Sequence, residues 1–281
     1  MNAKNEQAWL QQVCRIAVQA GERILSVYFA AEPAKVEQKS DGTPVTLADK
    51  EADELISEAL RIMTPDIPLV TEESIETIPF ENRQAWSRFW LVDPLDGTKE
   101  FIERTGEFSV NIALVAEGKP VLGVVYVPVT RILYCAMAGL GAYKNRVPEN
   151  PDLQFWQACM RPESRIFSQR LDSQQPIRVA VSRRHGGSVK QFMQALGSVE
   201  TVKMGSAIKT CLVAEGAADV YPRFGPTSLW DTAAAQCVVE EAGGKLLDKQ
   251  GLALTYQQSE SLLNPHFMVI GDTNYPWPDF P

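Results

Sequence analysis

Hydrophobic residues near the start of the chain recur at helical spacing. They lie three or four positions apart at Trp9, Val13, Ile16, Ala20, Ile24 and Val27, which predicts a long amphipathic helix that ends before Pro33. A second apolar stripe over residues 48–63 predicts another helix, capped by Thr46 and terminated by Pro65. Each helix has one apolar face that a core can cover.

Shorter apolar runs, rich in β-branched residues, predict strands at 69–70, 89–92, 110–114, 121–127 and 132–136. The sequence Glu117-Gly118-Lys119-Pro120 separates two of these runs and is typical of a hairpin turn. The strands around it are therefore expected to pair antiparallel.

The second half resumes after residues 146–176, which carry prolines and charges without periodicity and are expected to form a linker or surface excursion. This divides the chain into an N-terminal unit, 1–145, and a C-terminal unit, 177–281, which together make one catalytic unit. Further elements are predicted at 177–181 (strand), 187–196 and 206–215 (helices), 218–221 (strand), and from Asp231 to Gly243-Gly244 (helix). Antiparallel strands followed by alternating elements favour an α+β fold of layered sheets and helices.

Composition narrows the class of protein. The 281 residues, 45% of them hydrophobic, are enough for a large core in one or two domains. A net charge of −8 without a basic run argues against nucleic-acid binding, and no apolar run approaches the roughly 20 residues that a membrane span needs. Five scattered cysteines and the lack of an apolar N-terminal signal predict reduced thiols in the cytoplasm.

Histidine and glycine usage excludes several kinds of site. His185 and His266 are the two histidines, too few for a histidine-based zinc cluster. The chain also lacks a Gly-x-Ser-x-Gly elbow and a nucleoside-triphosphate loop. Chemistry is therefore expected to depend on carboxylates.

Residues 93–98, with the sequence DPLDGT, carry the strongest chemical signal. Asp93 and Asp96 follow an apolar strand, and the fixed φ of Pro94 and the freedom of Gly97 allow both carboxylates to point into one cleft. Thr98 adds a hydroxyl. Mg²⁺ prefers such oxygen ligands, so the run predicts a metal-dependent phosphate site, with a plain Asx-turn as the structural alternative.

Three separated motifs in this order resemble the inositol monophosphatase superfamily. They are the DPLDGT run, the upstream Glu72-Glu73-Ser74, and the downstream Trp230-Asp231-Thr232-Ala233-Ala234. Residues 92–101 and 221–227 narrow the resemblance to bacterial 3′(2′),5′-bisphosphate nucleotidases. The similarity runs from about 12 to 267, except near 145–176. It implies a five-layered αβαβα sandwich with the acidic site between the two halves.

The resemblance also implies roles for individual residues. The metal ligands would be Glu72, Asp93, Asp96, Asp231 and the carbonyl of Leu95, and the catalytic residues Asp49, Glu72 and Thr98, with Asp49 and Thr98 near the attacking water. Substrate contacts would come from Asp96, Gly97, Thr98, His185, Ser206, Lys209, Arg223 and Asp231. Taken singly, several have plainer interpretations: Asp49 and Asp231 as helix-terminal acids, Lys209 and Arg223 as solvated surface charges.

Charge favours two or three Mg²⁺ ions. The four ligand carboxylates carry −4 when ionised, and a substrate phosphate adds about −1.5 to −2. Each like-charge pair 4 Å apart costs about 4 kcal/mol at an effective dielectric near 20. Two Mg²⁺ cancel the protein charge, and a third leaves a surplus for the phosphate.

The implied activity is Mg²⁺-dependent hydrolysis of adenosine 3′,5′-bisphosphate to AMP and phosphate by direct attack of water. 3′-Phosphoadenylyl sulfate is a second expected substrate, Li⁺ an expected inhibitor, and the cytoplasm the expected location, with a peripheral position on the inner membrane left open. One alternative is an inositol monophosphatase or sugar bisphosphatase of the same superfamily. A more distant one is a nucleotide sensor without catalysis. The oligomeric state stays open.

Overall fold

The computed structural model describes residues 3–32, 35–38, 44–183 and 186–280. The helices are α1 (Ala3–Tyr28), α2 (Leu47–Met63), α3 (Phe80–Arg83), α4 (Thr98–Ile102), α5 (Leu153–Ala158), α6 (Gly187–Leu196), α7 (Ile208–Ala214) and α8 (Leu229–Glu241). The strands are β1 (Val36–Gln38), β2 (Pro44–Thr46), β3 (Leu69–Thr71), β4 (Arg88–Asp96), β5 (Ser109–Ala116), β6 (Lys119–Val127), β7 (Ile132–Met137), β8 (Gly141–Arg146), β9 (Arg165–Ile166), β10 (Ile177–Val181), β11 (Val199–Lys203), β12 (Val220–Arg223), β13 (Lys245–Asp248) and β14 (Phe267–Ile270).

Two large sheets organise these strands. The first has seven strands in the order β3-β4-β5-β6-β7-β8-β9 and is antiparallel except for the β3–β4 pair. The second has five strands in the order β11-β10-β12-β14-β13 and mixes parallel with antiparallel pairs. Strands β1 and β2 form a small separate ribbon.

The layering follows from alternation along the strands, because successive side chains point to opposite faces of a sheet. In β4, Trp90 and Val92 pack with the helices α1 and α2. Phe89 and Leu91 face the other way, into a core shared with α7, α8 and one face of the five-stranded sheet. The far face of that sheet packs against Val189 and Phe192 of α6. The order helix–sheet–helix–sheet–helix confirms the five-layered αβαβα prediction.

Helix α8 packs directly against the seven-stranded sheet, and Gly123 on β6 makes the close approach possible. A Cβ at Gly123 would stand 2.2 Å from the backbone oxygen of Ala234. Any larger residue would push α8 away from the sheet. Since Asp231 is on the same helix, this contact also sets how far that acid lies from the acids of β4.

Most predicted elements of the N-terminal half are confirmed. Thr46 caps α2, which ends at Met63, and the 117–120 turn joins the antiparallel pair β5–β6. Pro33 lies outside the described residues. One prediction is wrong: the strand before Asp93 does not end at residue 92 but continues to Asp96. The strand continues because residues 93–96 form a bulge that keeps its pairing with β5.

The C-terminal half differs in boundaries. Helix α8 begins at Leu229 and not at Asp231, and α7 begins at Ile208 and not at residue 206, since Ser206 has a left-handed φ of 47°. Residues 146–176 contain α5 and β9, and β9 is the edge strand of the seven-stranded sheet. Trp156 within this segment is buried in the core beneath α1.

Candidate active site

A bulge in β4 positions the two acids of the DPLDGT run. Asp93 lies opposite Asn111 on β5 and Asp96 opposite Ser109, so four residues of β4 face three of β5. This extra residue breaks the alternation of side chains. The Leu95 N–H donates to Asp93 Oδ1 at 3.0 Å, so an Asx-turn is present as well as the acid pair. Gly97, with φ of 96°, then turns the chain into α4.

Strand β3 brings Glu72 alongside Asp93. Thr71 pairs in parallel register with Val92, and the Glu72 N–H donates to the Val92 carbonyl at 3.1 Å. Glu72 is half-buried, and its charge contributes to the raised pKa of Asp93. The end of β3 and the bulge of β4 therefore share one edge of the sheet.

The first turn of α8 holds Asp231. Ser228 is the N-cap, and Asp231 accepts a hydrogen bond from the Ser228 N–H at 3.0 Å, which completes a capping box. The Asn264 side-chain amide supports this turn by donating to the Ser228 carbonyl at 2.6 Å and to Thr232 Oγ1 at 3.0 Å. Asp231 therefore lies in the first turn of α8 and also lines the cleft described below.

Asp49 links the start of α2 to Thr98. The backbone N–H and the hydroxyl of Thr46 both donate to Asp49 Oδ2, at 2.8 and 2.6 Å. Asp49 Oδ1 accepts from the Thr98 hydroxyl at 3.1 Å, and Thr98 Oγ1 also lies 3.4 Å from the Leu95 carbonyl oxygen. With Asp49 only 3% exposed, this carboxylate has a fixed orientation toward Thr98.

Electrostatics show that the acids form one group. Burial, and then the charges of Glu72, Asp96 and Asp231, raise the pKa of Asp93 well above its usual range. Burial raises the pKa of Asp96 to about 6, a rise limited by Lys209 and by bonds from Ala207 and Asn111. Burial and the charge of Asp96 raise the pKa of Asp231 to about 8. Acids from three distant parts of the sequence therefore act on one another.

This donor set fits divalent cations. Buried carboxylates whose ionisation is suppressed by desolvation, and for Asp93 and Asp231 also by neighbouring acids, need a counter-charge, and oxygen ligands suit Mg²⁺. Within the described ranges no three His, Cys, Asp or Glu side chains already converge at ligating distance.

Two basic residues, Lys209 and Arg223, line the cleft together with the acids and are called the basic wall. Lys209 is 4% exposed, donates to the Ser206 carbonyl at 2.6 Å and lies 5.3 Å above the Tyr221 ring. Burial lowers the pKa of Lys209 to about 8, although the charge of Asp96 opposes this. The buried Nε of Arg223 has no hydrogen-bond partner in the described part of the chain. Both cations line the same cleft as Asp96 and Asp231.

One cleft collects most of the predicted substrate contacts. Its lining includes Asp96, Gly97, Ser206, Lys209, Arg223 and Asp231. Thr98 adjoins it through α4, whereas His185 lies outside the described residues. The sequence prediction missed Glu100, Tyr221 and Thr227, which also line the cleft. It also missed Ser109 and Asn111, which are hydrogen-bonded to each other and, through Asn111, to Asp96. In the sequence, the only indication of them was that they are polar residues in or next to an apolar run that predicts a strand.

Comparison with known proteins identifies the family of this layered fold. A family profile described as the inositol monophosphatase family matches residues 5–272. The chain belongs to this family, whose enzymes depend on Mg²⁺.

Among curated relatives, the 3′(2′),5′-bisphosphate nucleotidase CysQ of Salmonella typhimurium is 47% identical over 92% of this chain and 98% of that protein. The same-named protein of Haemophilus influenzae is 37% identical over 95% of this chain and 94% of its own length. The crystal structure of CysQ from Bacteroides thetaiotaomicron superposes with a TM-score of 0.79 at 39% identity, covering 94% and 97% of the two chains.

Among the described residues, no helix combines the length and the apolar character that crossing a membrane requires.

Mg²⁺ is expected to stabilise the protein more at pH 8 than at pH 5.5. The folded-state pKa values of Asp96 and Asp231, about 6 and about 8, exceed the ordinary aspartate value of 3.8. Without metal, the folded state binds these protons more tightly than the unfolded chain, so stability falls as pH rises from about 4 to about 8. Because Mg²⁺ competes with the protons, its effect on Tm grows over the same range. Thermal melting with Mg²⁺ or EDTA at both pH values measures this, and an equal shift at both would contradict it.

Proposed function

We propose that this protein is a Mg²⁺-dependent 3′(2′),5′-bisphosphate nucleotidase that hydrolyses adenosine 3′,5′-bisphosphate to AMP and phosphate. 3′-Phosphoadenylyl sulfate is the second proposed substrate. The observation that carries the proposal is the cleft that Asp96 and Asp231 line together with Lys209 and Arg223. Glu72 and Asp93 lie close enough for their charges to interact with these acids. The bisphosphate nucleotidases that resemble this chain over nearly their whole length support the choice of substrate.

Glu72, Asp93, Asp96, Asp231 and the Leu95 carbonyl would hold two or three Mg²⁺ ions. When bound, these ions lower the pKa of water and neutralise the charge of the phosphoryl group. The protein supplies the acids in one cleft and keeps their positions with the bulge of β4 and the capping box of α8.

Thr98 and Asp49 would orient the attacking water. The Thr98 hydroxyl donates its proton to Asp49 Oδ1, so its lone pairs are left to accept a hydrogen bond from water. Asp49 cannot turn away, because Thr46 holds its other oxygen twice. Such an arrangement fixes the direction of attack on the phosphorus, and Glu72, whose charge acts on both Asp49 and Asp93, would assist from the same side.

Lys209 and Arg223 would bind the phosphates of the substrate. Arg223 Nη2 donates to the Pro226 carbonyl at 2.8 Å, which fixes the guanidinium while its Nε remains a buried donor. A planar guanidinium beside an oxyanion gives directional hydrogen bonds as well as charge. A substrate with two phosphates gains more from this wall than a substrate with one. The five cysteines are free and buried, in keeping with the proposed cytoplasmic location.

A substrate panel tests this assignment. Phosphate release from adenosine 3′,5′-bisphosphate, 3′-phosphoadenylyl sulfate, inositol 1-phosphate and fructose 1,6-bisphosphate is measured with saturating Mg²⁺. We expect kcat/KM for the adenosine bisphosphate to exceed that for inositol 1-phosphate by roughly tenfold or more, equivalent to about 1.4 kcal/mol from the added phosphate contacts. A preference for inositol phosphate would contradict the substrate assignment, and Mg²⁺-dependent binding without turnover would contradict the catalytic one.

A further inference from the structure

Two polar residues on β5 are buried where the strand could have been apolar. Ser109 is 0% and Asn111 1% exposed. By alternation they share the face of Ala113 and Val115, which pack in the core with α7 and α8. Buried polar groups are costly unless they are hydrogen-bonded, so their bonds decide what they do.

Their bonds form a continuous chain from Asp96 to Ser206. Asn111 Nδ2 donates to Asp96 Oδ2 at 3.3 Å, Ser109 Oγ donates to Asn111 Oδ1 at 2.9 Å, and Ser206 Oγ lies 3.1 Å from Ser109 Oγ. We define Ser206, Ser109, Asn111 and Asp96 as the buried relay. It crosses from the seven-stranded sheet to the segment before α7.

The chemistry of the groups fixes the direction of the relay. An ionised carboxylate can only accept, so Asn111 must present its NH₂ to Asp96 and its carbonyl oxygen to Ser109. Ser109 has a single hydroxyl proton, and it is spent on Asn111. The bond between the two serines is therefore donated by Ser206. Every donor in the relay points toward the Asp96 carboxylate.

The relay holds both of its ends. At one end, Asp96 Oδ2 accepts a hydrogen bond from Asn111 and another from the Ala207 N–H at 2.5 Å. Both bonds end on the same carboxylate oxygen, and neither involves Oδ1. At the other end Ser206 has a φ of 47°, a left-handed conformation that L-residues avoid and that surrounding contacts must maintain. The Ser206 carbonyl accepts from Lys209.

We propose that Asn111 and Ser109 are positioning residues that set the orientation of the Asp96 carboxylate and hold the 206–209 segment in register with the metal-binding acids. This proposal rests on the proposed function, because it assigns Asp96 to the metal site and Lys209 to the substrate. Asn111 acts mainly on metal binding. Ser109 acts mainly on substrate binding, because it is hydrogen-bonded to Ser206, whose carbonyl oxygen in turn holds the Lys209 side chain.

The test uses Asn111→Leu and Ser109→Ala, with Thr64→Val as the matched control. Thr64 is also buried, accepts a hydrogen bond from Trp90 Nε1 at 2.8 Å, and lies at the opposite end of α2 from Asp49. Each variant is melted over a range of Mg²⁺ concentrations, and phosphate release from adenosine 3′,5′-bisphosphate is followed for KM and kcat. The melting experiment reports Mg²⁺ binding independently of activity.

For Asn111→Leu we expect the Mg²⁺ concentration at half-maximal Tm shift to rise about tenfold or more, as for other groups that orient a metal ligand. For Ser109→Ala we expect a KM increase of roughly fivefold or more, with a smaller change in kcat. Thr64→Val should lower Tm without changing either quantity. Wild-type Mg²⁺ response and KM in the two β5 variants would overturn the relay alone. If the Tm and the activity of the wild-type protein did not depend on Mg²⁺, the proposed function would be overturned, and the relay with it.

Discussion

Replacing Asp96 with asparagine is expected to lower kcat by roughly a thousandfold, about 4 kcal/mol of transition-state stabilisation. The side chain keeps its shape, and an amide oxygen can still accept the bonds from Asn111 and Ala207. The negative charge that binds a cation is lost. Because ionised Asp96 also repels Asp231, the metal-free variant should melt no lower than wild type at pH 8.

Steady-state kinetics and thermal melting of Asp96→Asn measure both effects. Asp66→Asn is the matched control, since Asp66 is an exposed acid beyond the end of α2. That control should keep wild-type kcat and wild-type Mg²⁺ dependence. An Asp96→Asn protein that turns over at the wild-type rate would remove Asp96 from the proposed ligands.

Replacing Thr98 with valine is expected to lower kcat by about 10²- to 10³-fold, within the usual contribution of a group that positions or transfers a proton. Valine has nearly the same shape but cannot donate to Asp49 or accept from water. KM should change little, because Lys209 and Arg223 still bind the phosphates. The fold should persist, since Thr46 continues to hold Asp49.

Thr98→Ser separates the hydroxyl from the methyl group. The serine variant retains the donor to Asp49 and should recover most of the lost kcat. If valine and serine variants were equally active, the hydroxyl would have no role in orienting water. If both were equally inactive, packing of the methyl group would be the important feature of Thr98.

Much of the fold was predictable because local signals agreed with the tertiary structure. The apolar stripe of residues 48–63 and the cap at Thr46 are both present in α2. Glu117 and Gly118 both have positive φ, as a tight hairpin turn requires. The five layers followed from the resemblance, and the three core clusters confirm them.

The errors occur where long-range pairing overrides local sequence. Pro94 and Gly97 suggested a strand that ends before the acids. Pairing of Asp93 with Asn111 and of Asp96 with Ser109 instead extends β4 through a bulge. The apolar stretch around Asn111 predicted a strand and gave no reason to expect a link to Asp96. The partner at the far end of that link, Ser206, lies 97 residues from Ser109. Local sequence carries no signal for such a contact.

The proposed roles of the acids remain predictions, although the structure brings them together. Asp49, Glu72, Asp93, Asp96 and Asp231 come from four different elements or their ends, and the pKa of Asp93 is raised by the charge of each of the other four. A helix-terminal role for Asp49 and Asp231 is real but not exclusive, since each completes a capping box. Asp231 also lines the cleft, and Asp49 accepts a hydrogen bond from Thr98.

The central claim is that acids from distant parts of the chain gather divalent ions, which allow a phosphate ester to enter and be cleaved. The most direct measurement is phosphate release from adenosine 3′,5′-bisphosphate by chelator-treated protein as Mg²⁺ is added back. The account predicts negligible turnover in EDTA and full recovery when Mg²⁺ exceeds the chelator. Undiminished turnover in EDTA would contradict it.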